Sequence, residues 1–143
     1  MMRQVPGYSL WLGHTGDLRD PHSVMSAGIL AVVDLALNES PATLPRELVY
    51  CRFPLLDGIG NPAWLLSAAV GTVLGLLRSQ TPTLVSCSAG LSRTPAIAAA
   101  AIARLKSCCL AEALLLVTQS APADVSPGLL QELESLHARP LEN

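Results

Sequence analysis

The sequence predicts an α/β fold in which a mostly parallel central sheet of about four or five strands is flanked by helices. Short apolar runs that suit buried strands alternate along the chain with longer runs that suit helices, and this alternation is typical of parallel sheets. The chain has 143 residues, and 50% of them are hydrophobic, which is enough for one sizeable core. We therefore expect a single domain over residues 1–143, with its core at about 8–137.

Four apolar segments have the length and composition of strands. They cover residues 8–12, 29–35, 49–53 and 83–86. Pro54 is expected to stop the third strand, because proline cannot donate a hydrogen bond to a neighbouring strand. Residues 38–46 contain asparagine, serine and two prolines, so this segment is predicted to be a loop.

Four helices are predicted after residue 60. They cover residues 61–79, 95–106, 110–119 and 126–137. Asn61-Pro62 and Ser126-Pro127 both have the pattern of an N-cap followed by a first-turn proline. The last helix places four leucines at helical spacing, which predicts a core-facing stripe; they are Leu129, Leu130, Leu133 and Leu136.

Two of these helices are predicted to be buried. The run from Trp64 to Leu77 is strongly apolar but too short to span a bilayer, so a buried helix accounts for it better than a membrane segment. Residues 95–103 are apolar on every side. We therefore expect the second of the four helices to lie at the centre of the fold.

The segment LVSCSAGLSRTP, residues 84–95, joins a predicted strand to this central helix. Cys87 lies at the carboxyl end of the strand, where open α/β sheets bind their ligands. Gly90 would relieve the tight turn that follows, and the helix end would add positive potential. The loop would turn its backbone N–H groups inward and form a cradle for a phosphate-sized anion; its residues are Ser88, Ala89, Gly90, Leu91, Ser92 and Arg93.

A thiol at the base of such a cradle suits nucleophilic attack on phosphorus. The N–H donors that bind an anion would also stabilise the thiolate of Cys87. Arg93 would close the ring, because its planar guanidinium can bind two phosphate oxygens. A thiolate below a bound phosphate is placed for in-line displacement.

The departing alkoxide or phenolate needs a proton donor. Asp57 is the best candidate, because it lies in a glycine-rich loop just after a predicted strand, where it could reach the cradle. Asp34 lies within an apolar strand and is expected to serve structure. Asp17 and Asp20 are expected to be surface or turn residues.

The loop CSAGLSRT resembles the Cys-x5-Arg-Ser/Thr loop of cysteine-dependent phosphatases. The chain as a whole, over about residues 8–137, resembles a compact dual-specificity phosphatase domain of the protein tyrosine phosphatase superfamily. Residues 8–13 and 29–35 are similar to that family's first conserved strands, and residues 121–130 to its closing segment. Asp57 falls where the family keeps its general acid.

This resemblance implies a two-step reaction that needs neither metal nor another cofactor. Cys87 would form a phosphocysteine, and Asp57 would protonate the leaving oxygen and later activate water. Thr94 would assist release of the thiolate, and the main-chain amides of residues 88–93 would hold the phosphate. The expected substrate is phosphotyrosine, phosphoserine or phosphothreonine in a protein.

Two positions depart from the family pattern. Ser86 stands where the family usually has histidine before the cysteine, and a serine hydroxyl supplies fewer hydrogen bonds behind the loop. Ala121 replaces an arginine before Pro122. Ser86 therefore keeps open the alternative of a phosphate-binding pseudophosphatase that docks phosphorylated partners. A phosphatase of a small phosphorylated metabolite is a second alternative, because the sequence does not define the substrate.

Composition argues against several other classes. The net charge is −2 without a basic block, so no nucleic-acid partner is expected. Residues 1–7, MMRQVPG, lack the apolar core of a signal peptide, and no membrane association is predicted. The spacing of the cysteines suits neither a disulfide framework nor zinc, which favours a reducing, cytoplasmic compartment. We also expect the protein to be a monomer. Three of the four, Cys51, Cys108 and Cys109, are expected to be packing residues.

Overall fold

A five-stranded sheet forms the centre of the computed structural model, which describes residues 2–119 and 122–139. The strands are β1 (Arg3–Gln4), β2 (Leu10–His14), β3 (Ala31–Ala36), β4 (Val49–Leu55) and β5 (Thr83–Cys87). Their spatial order is β1-β2-β5-β3-β4. Only the short β1 pairs antiparallel; β2, β5, β3 and β4 are parallel. The predicted α/β fold with a mostly parallel sheet is therefore confirmed.

Six helices cover the sheet within the described residues. They are α1 (Thr15–Leu18), α2 (Pro21–Ser26), α3 (Ala63–Arg78), α4 (Arg93–Lys106), α5 (Leu110–Thr118) and α6 (Pro127–His137). Successive residues of a strand face opposite sides of a sheet, and β5 shows this clearly. Val85 and Cys87 belong to the larger core beneath α3 to α6, whereas Leu84 belongs to a smaller core with Leu18 of α1 and Val24 of α2.

The helix α4 is the central helix that the sequence predicted. Every residue from Arg93 to Ala103 is buried, and α4 contacts α3, α5 and α6 as well as β2 and β5. Its run of alanines lets these neighbours approach closely on all sides. The leucine stripe of α6 is also confirmed, since Leu129 and Leu133 are fully buried and Leu130 and Leu136 pack against the same core.

Several predicted element ends were wrong, for physical reasons. Pro54 lies inside β4 and does not stop it, because β4 is an edge strand and proline is tolerated where no neighbouring strand needs its N–H. Asn61 does not cap α3. The cap position is Pro62, without a side-chain hydrogen bond, while the Asn61 amide bonds both the N–H and the carbonyl of Leu56. Ser126 is the N-cap of α6 but makes no side-chain cap bond.

Other expectations about single residues also need correction. Trp64 begins the apolar run of α3 but is 71% exposed. Cys51 and Cys108 are partly buried against the core as expected, whereas Cys109 is exposed. Ala121 lies outside the described residues. No helix in the described part of the chain is long and apolar enough to cross a membrane.

Candidate active site

Cys87 is the last residue of β5, with β2 on one side of that strand and β3 on the other. The thiol is buried, at 2% exposure. The backbone N–H of Gly90 donates to its Sγ at 3.2 Å, so the chain curls back over the sulfur immediately after the strand. The hydroxyl of Thr15, at the start of α1, donates to the Cys87 carbonyl at 3.3 Å. The Gly90 backbone therefore holds the thiol, and the Thr15 side chain holds the Cys87 backbone from the other direction.

Gly90 is required at this turn for two independent reasons. Its φ is +77°, in the region that side chains with a Cβ rarely adopt. A Cβ added at Gly90 would also lie 2.8 Å from the carbonyl oxygen of Gly13 in β2. The loop after Cys87 thus packs directly on the neighbouring strand β2. The positive φ of Gly90 agrees with the predicted tight turn.

Arg93 is the first residue of α4, and its side chain reaches the carboxyl ends of β3 and β4. It is 6% exposed. Its Nη1 donates to the Leu55 carbonyl and to Asn38 Oδ1, each at 3.0 Å. Its Nε is buried and has no partner among the described residues. Because buried donors are nearly always paired, an unpaired guanidinium N–H here points to an anionic ligand that would accept from it.

Asn38 is a site residue that the sequence analysis missed. Its Oδ1 accepts from Arg93 and also from the Ser88 hydroxyl, at 3.0 Å in both cases. Ser88 Oγ also lies 3.2 Å from Glu39 Oε2. Asn38 closely follows the carboxyl end of β3, next to β5, and a polar residue in that place is the signal that could have identified it.

Asp57 lies in the loop after β4, and the structure brings it to the same cleft as Cys87. Its Oδ1 accepts a hydrogen bond of 2.5 Å from the Ser92 hydroxyl, which in turn accepts from the Ser126 N–H at 2.8 Å. The acid is thus tied to the last residue of the thiol loop. The Asn61 side chain braces the Asp57 loop from within, through its bonds to Leu56.

The cleft above Cys87 has a volume of about 480 Å³. Besides Cys87, Arg93 and Asp57, it is lined by residues from four segments of the chain, which are Leu37, Asn38, Leu55, Leu56, Ser88, Ala89, Leu91, Ser92 and Asp124. Asp124 is a second carboxylate that the sequence analysis missed. Its N–H donates to the Leu91 carbonyl at 2.8 Å, so the segment before α6 is attached to the thiol loop.

Thr94 and Ser86 are both fully buried behind the loop. The Thr94 hydroxyl donates to the Gly13 carbonyl at 3.5 Å, and its role in thiolate release stays a prediction. Ser86 Oγ has no hydrogen-bond partner among the described residues. The serine therefore does not support the loop through the hydrogen bond that was expected of it.

The remaining aspartates serve local structure, as expected. Asp34 is buried, and its carboxylate accepts from the Tyr50 hydroxyl at 2.5 Å and from the Ala36 N–H at 3.1 Å. Asp17 forms a capping box with His14 at the start of α1, and Asp20 caps α2. Within residues 2–119 and 122–139, no group of three or more histidine, cysteine or acidic side chains is arranged to hold a metal ion.

The central parallel sheet and the helices around it have the fold of solved dual-specificity phosphatase structures. The structure of human DUSP28 is similar at a TM-score of 0.82 and 22% identity, covering 96% of this chain and 93% of that one. The likeness to Tk-PTP in its active form has a TM-score of 0.82 and 21% identity, with 97% of both chains covered.

A third similar structure is the human tyrosine phosphatase-like serine/threonine/tyrosine-interacting protein. It has a TM-score of 0.79 and 18% identity, and the match covers 96% of this chain and 95% of that one. No protein-family model and no curated protein sequence matches the chain. Because all three identities are low, these likenesses establish the fold, and the chemistry has to be argued from the site.

Proposed function

We propose that this protein is a cysteine-dependent phosphatase that hydrolyses phosphomonoesters through a phosphocysteine on Cys87. One observation carries the proposal. Cys87 and Arg93 line one cleft at the start of α4, and the buried Nε of Arg93 has no hydrogen-bond partner among the described residues. That cleft also contains Asp57, the acid that the reaction needs. The fold shared with dual-specificity phosphatases supports the same conclusion.

In the first step, the Cys87 thiolate attacks phosphorus. The S–P bond forms as the P–O bond to the leaving group breaks, and Asp57 gives its proton to the departing oxygen. Arg93 would bind the phosphoryl oxygens through the side of its guanidinium that Leu55 and Asn38 leave free. The backbone amides of residues 88–93 would add further donors, and the α4 N-terminus adds positive potential.

In the second step, water attacks the phosphocysteine. Asp57, now a carboxylate, accepts the proton of that water, and the electron pair of the broken S–P bond returns to the sulfur. The products are inorganic phosphate and the starting thiolate. We assign the Thr94 hydroxyl to the stabilisation of that thiolate. Neither step uses a metal or another cofactor.

The proposed substrates are phosphotyrosine, phosphoserine and phosphothreonine in proteins, with small phosphomonoesters as the alternative. The phosphate loop lacks lysine, so nothing in it favours substrates that carry several phosphates. The four free cysteines agree with a reducing, cytoplasmic compartment. We further propose that the protein acts as a monomer, without a nucleic-acid or membrane partner.

Turnover of p-nitrophenyl phosphate in the presence of EDTA, with inhibition by orthovanadate, tests the activity. Cys87→Ser should abolish turnover yet still bind inorganic phosphate, because the hydroxyl keeps the cradle but is a far poorer nucleophile. Cys109→Ser is the matched control, since Cys109 is exposed, and it should keep full activity. Rapid acid quenching with a ³²P-labelled substrate should trap label on the wild-type protein and none on Cys87→Ser.

The pseudophosphatase alternative has one observation in its favour. The Ser86 hydroxyl, directly before the nucleophile, has no partner in the described part of the chain, so those residues do not give the loop the support that a hydrogen-bonding residue would supply there. A pseudophosphatase would bind inorganic phosphate but turn over neither p-nitrophenyl phosphate nor a phosphopeptide. Turnover near the wild-type rate in Cys87→Ser would contradict the assignment of Cys87 as the nucleophile.

A further inference from the structure

We infer that the cleft selects phosphomonoesters whose leaving group is apolar and carries no second anionic group close to the phosphate. This inference rests on the proposed phosphatase function and adds the charge and polarity of the substrate. It follows from two features of the cleft mouth. One is the distribution of charged side chains around the single arginine, and the other is a set of exposed leucines.

The charged side chains around the cleft favour the binding of one anionic group only. Arg93 is the only cationic side chain among the described residues that line it, and this side chain is buried at the floor with Nη1 already bonded to protein oxygens. Two acidic side chains, Asp57 and Asp124, line the same cleft and are exposed. Asp57 carries the proton for the leaving group in the first step, so Asp124 supplies the negative charge there. A phosphate on the floor is therefore bound, whereas a second anionic group higher in the cleft would meet the Asp124 carboxylate.

Glu39 adds a further negative charge to the rim, next to Ser88, the residue that follows Cys87. Its Oε2 lies 3.2 Å from the Ser88 hydroxyl. Arg19 approaches the other carboxylate oxygen of Glu39 at 3.9 Å, but the Arg19 side chain is 76% exposed. An exposed ion pair of this kind is weak and screened by salt, so Arg19 offsets the charge of Glu39 only in part.

The apolar part of the mouth comes from three separate loops. Leu37 follows β3, Leu56 follows β4, and Leu91 belongs to the thiol loop. They are 44%, 44% and 41% exposed, respectively, and all three line the cleft. A leaving group with an aromatic ring or an aliphatic chain would cover these leucines and remove them from water, which is favourable. A leaving group with a charged or strongly polar surface would gain nothing from them.

The charge effect can be expressed as a ratio of rates. For a second anionic charge about 6–8 Å from the rim carboxylates in a partly screened environment, Coulomb repulsion corresponds to about threefold to tenfold in kcat/KM per charge. The preferred substrates are then aryl or alkyl phosphates with neutral or basic surroundings. Inositides with several phosphates, RNA 5′ ends and phosphopeptides with acidic flanks would be poor substrates.

Two phosphotyrosine peptides that differ only in their flanking residues test this inference. One carries lysine and the other glutamate on both sides, and kcat/KM is measured for each at low and high salt. We expect the lysine peptide to be preferred by about threefold to tenfold per charge, with a smaller gap at high salt. Equal values, or a preference for the glutamate peptide, would overturn the inference.

Two substitutions in the cleft and one control outside it test whether the cleft causes the preference between peptides. Asp124→Asn should narrow the gap between the peptides, whereas Glu47→Gln, the same loss of charge at an exposed residue outside the cleft, should leave the gap unchanged. Leu91→Gln should reduce kcat/KM for a peptide with apolar flanks more than for one with serine flanks. If the ratio of kcat/KM between the paired peptides is the same in all variants, the cleft residues do not cause the preference and the inference is overturned. Failure to turn over any peptide or p-nitrophenyl phosphate would instead overturn the proposed function.

Discussion

Replacement of Gly90 by alanine should destabilise the protein strongly, because two costs add. A φ of +77° costs a residue with a Cβ about 1–2 kcal/mol. The new Cβ would also lie 2.8 Å from the Gly13 carbonyl oxygen, and that atom is backbone of a central strand. The loop or β2 would therefore have to shift, at about 1–3 kcal/mol for a buried overpacked contact. We expect Gly90→Ala to lower the free energy of unfolding by about 2–5 kcal/mol.

Urea unfolding followed by circular dichroism measures this change, and Gly75→Ala is the matched control. Gly75 lies within α3, and a Cβ there would meet nothing within 4 Å, so the same substitution should stabilise the protein by about 0.5–1 kcal/mol. Gly90→Ala should also weaken binding of inorganic phosphate, because the shifted loop no longer presents its N–H groups. A Gly90→Ala protein within about 0.5 kcal/mol of wild type would refute this reasoning.

Three further substitutions have defined outcomes. Asp57→Ala should lower kcat on an alkyl phosphate by about 10²–10⁴ and on p-nitrophenyl phosphate far less, because nitrophenolate leaves without a proton; equal losses would contradict its role as the acid. Ser86→Ala should raise the free energy of unfolding by up to about 1 kcal/mol in urea, since it removes a buried hydroxyl that has no partner within residues 2–119 and 122–139. A clear loss of stability would show that the hydroxyl is bonded. Tyr50→Phe should cost about 1–3 kcal/mol, because buried Asp34 loses its hydroxyl donor. Burial, together with the hydrogen bond to Asp34, raises the pKa of Tyr50 above its ordinary value of 10.0. Wild-type stability should therefore hold below pH 10.0 and fall as the pH rises through the raised pKa, whereas Tyr50→Phe should lack this fall; parallel pH profiles would contradict the assignment.

The residues that carry the proposed chemistry could be predicted from the sequence because their signals are local. Cys87 and Arg93 share one short loop between a strand and a helix, and the chain itself brings them together. Asp57 follows a strand in a glycine-rich loop, which places it at the same edge of a parallel sheet. The central position of α4 could also be predicted, because a helix that is apolar on every side has no polar face to expose to solvent.

Asn38 and Asp124 were missed because their roles depend on contacts between distant segments. Asn38 can bond Arg93 and Ser88 only because β3 lies next to β5. No local sequence pattern specifies that strand order. Asp124 reaches the cleft only because its N–H meets Leu91. The helices α1 and α2, of four and six residues, are too short to show a helical period. The position of Pro54 in a strand required knowledge that β4 is an edge.

The strand order has a consequence for how the chain folds. Between β2 and β3, which are consecutive parallel strands in the sequence, lies β5, which is made only after α3. A nascent chain that ends before residue 83 can form the pair β3–β4 and the pair β1–β2 but has nothing to join them. Insertion of β5 completes the sheet and delivers Cys87 to its place in the same event. Such non-local pairing makes folding slow, and it means that partly folded chains lack the thiol loop together with the sheet that supports it.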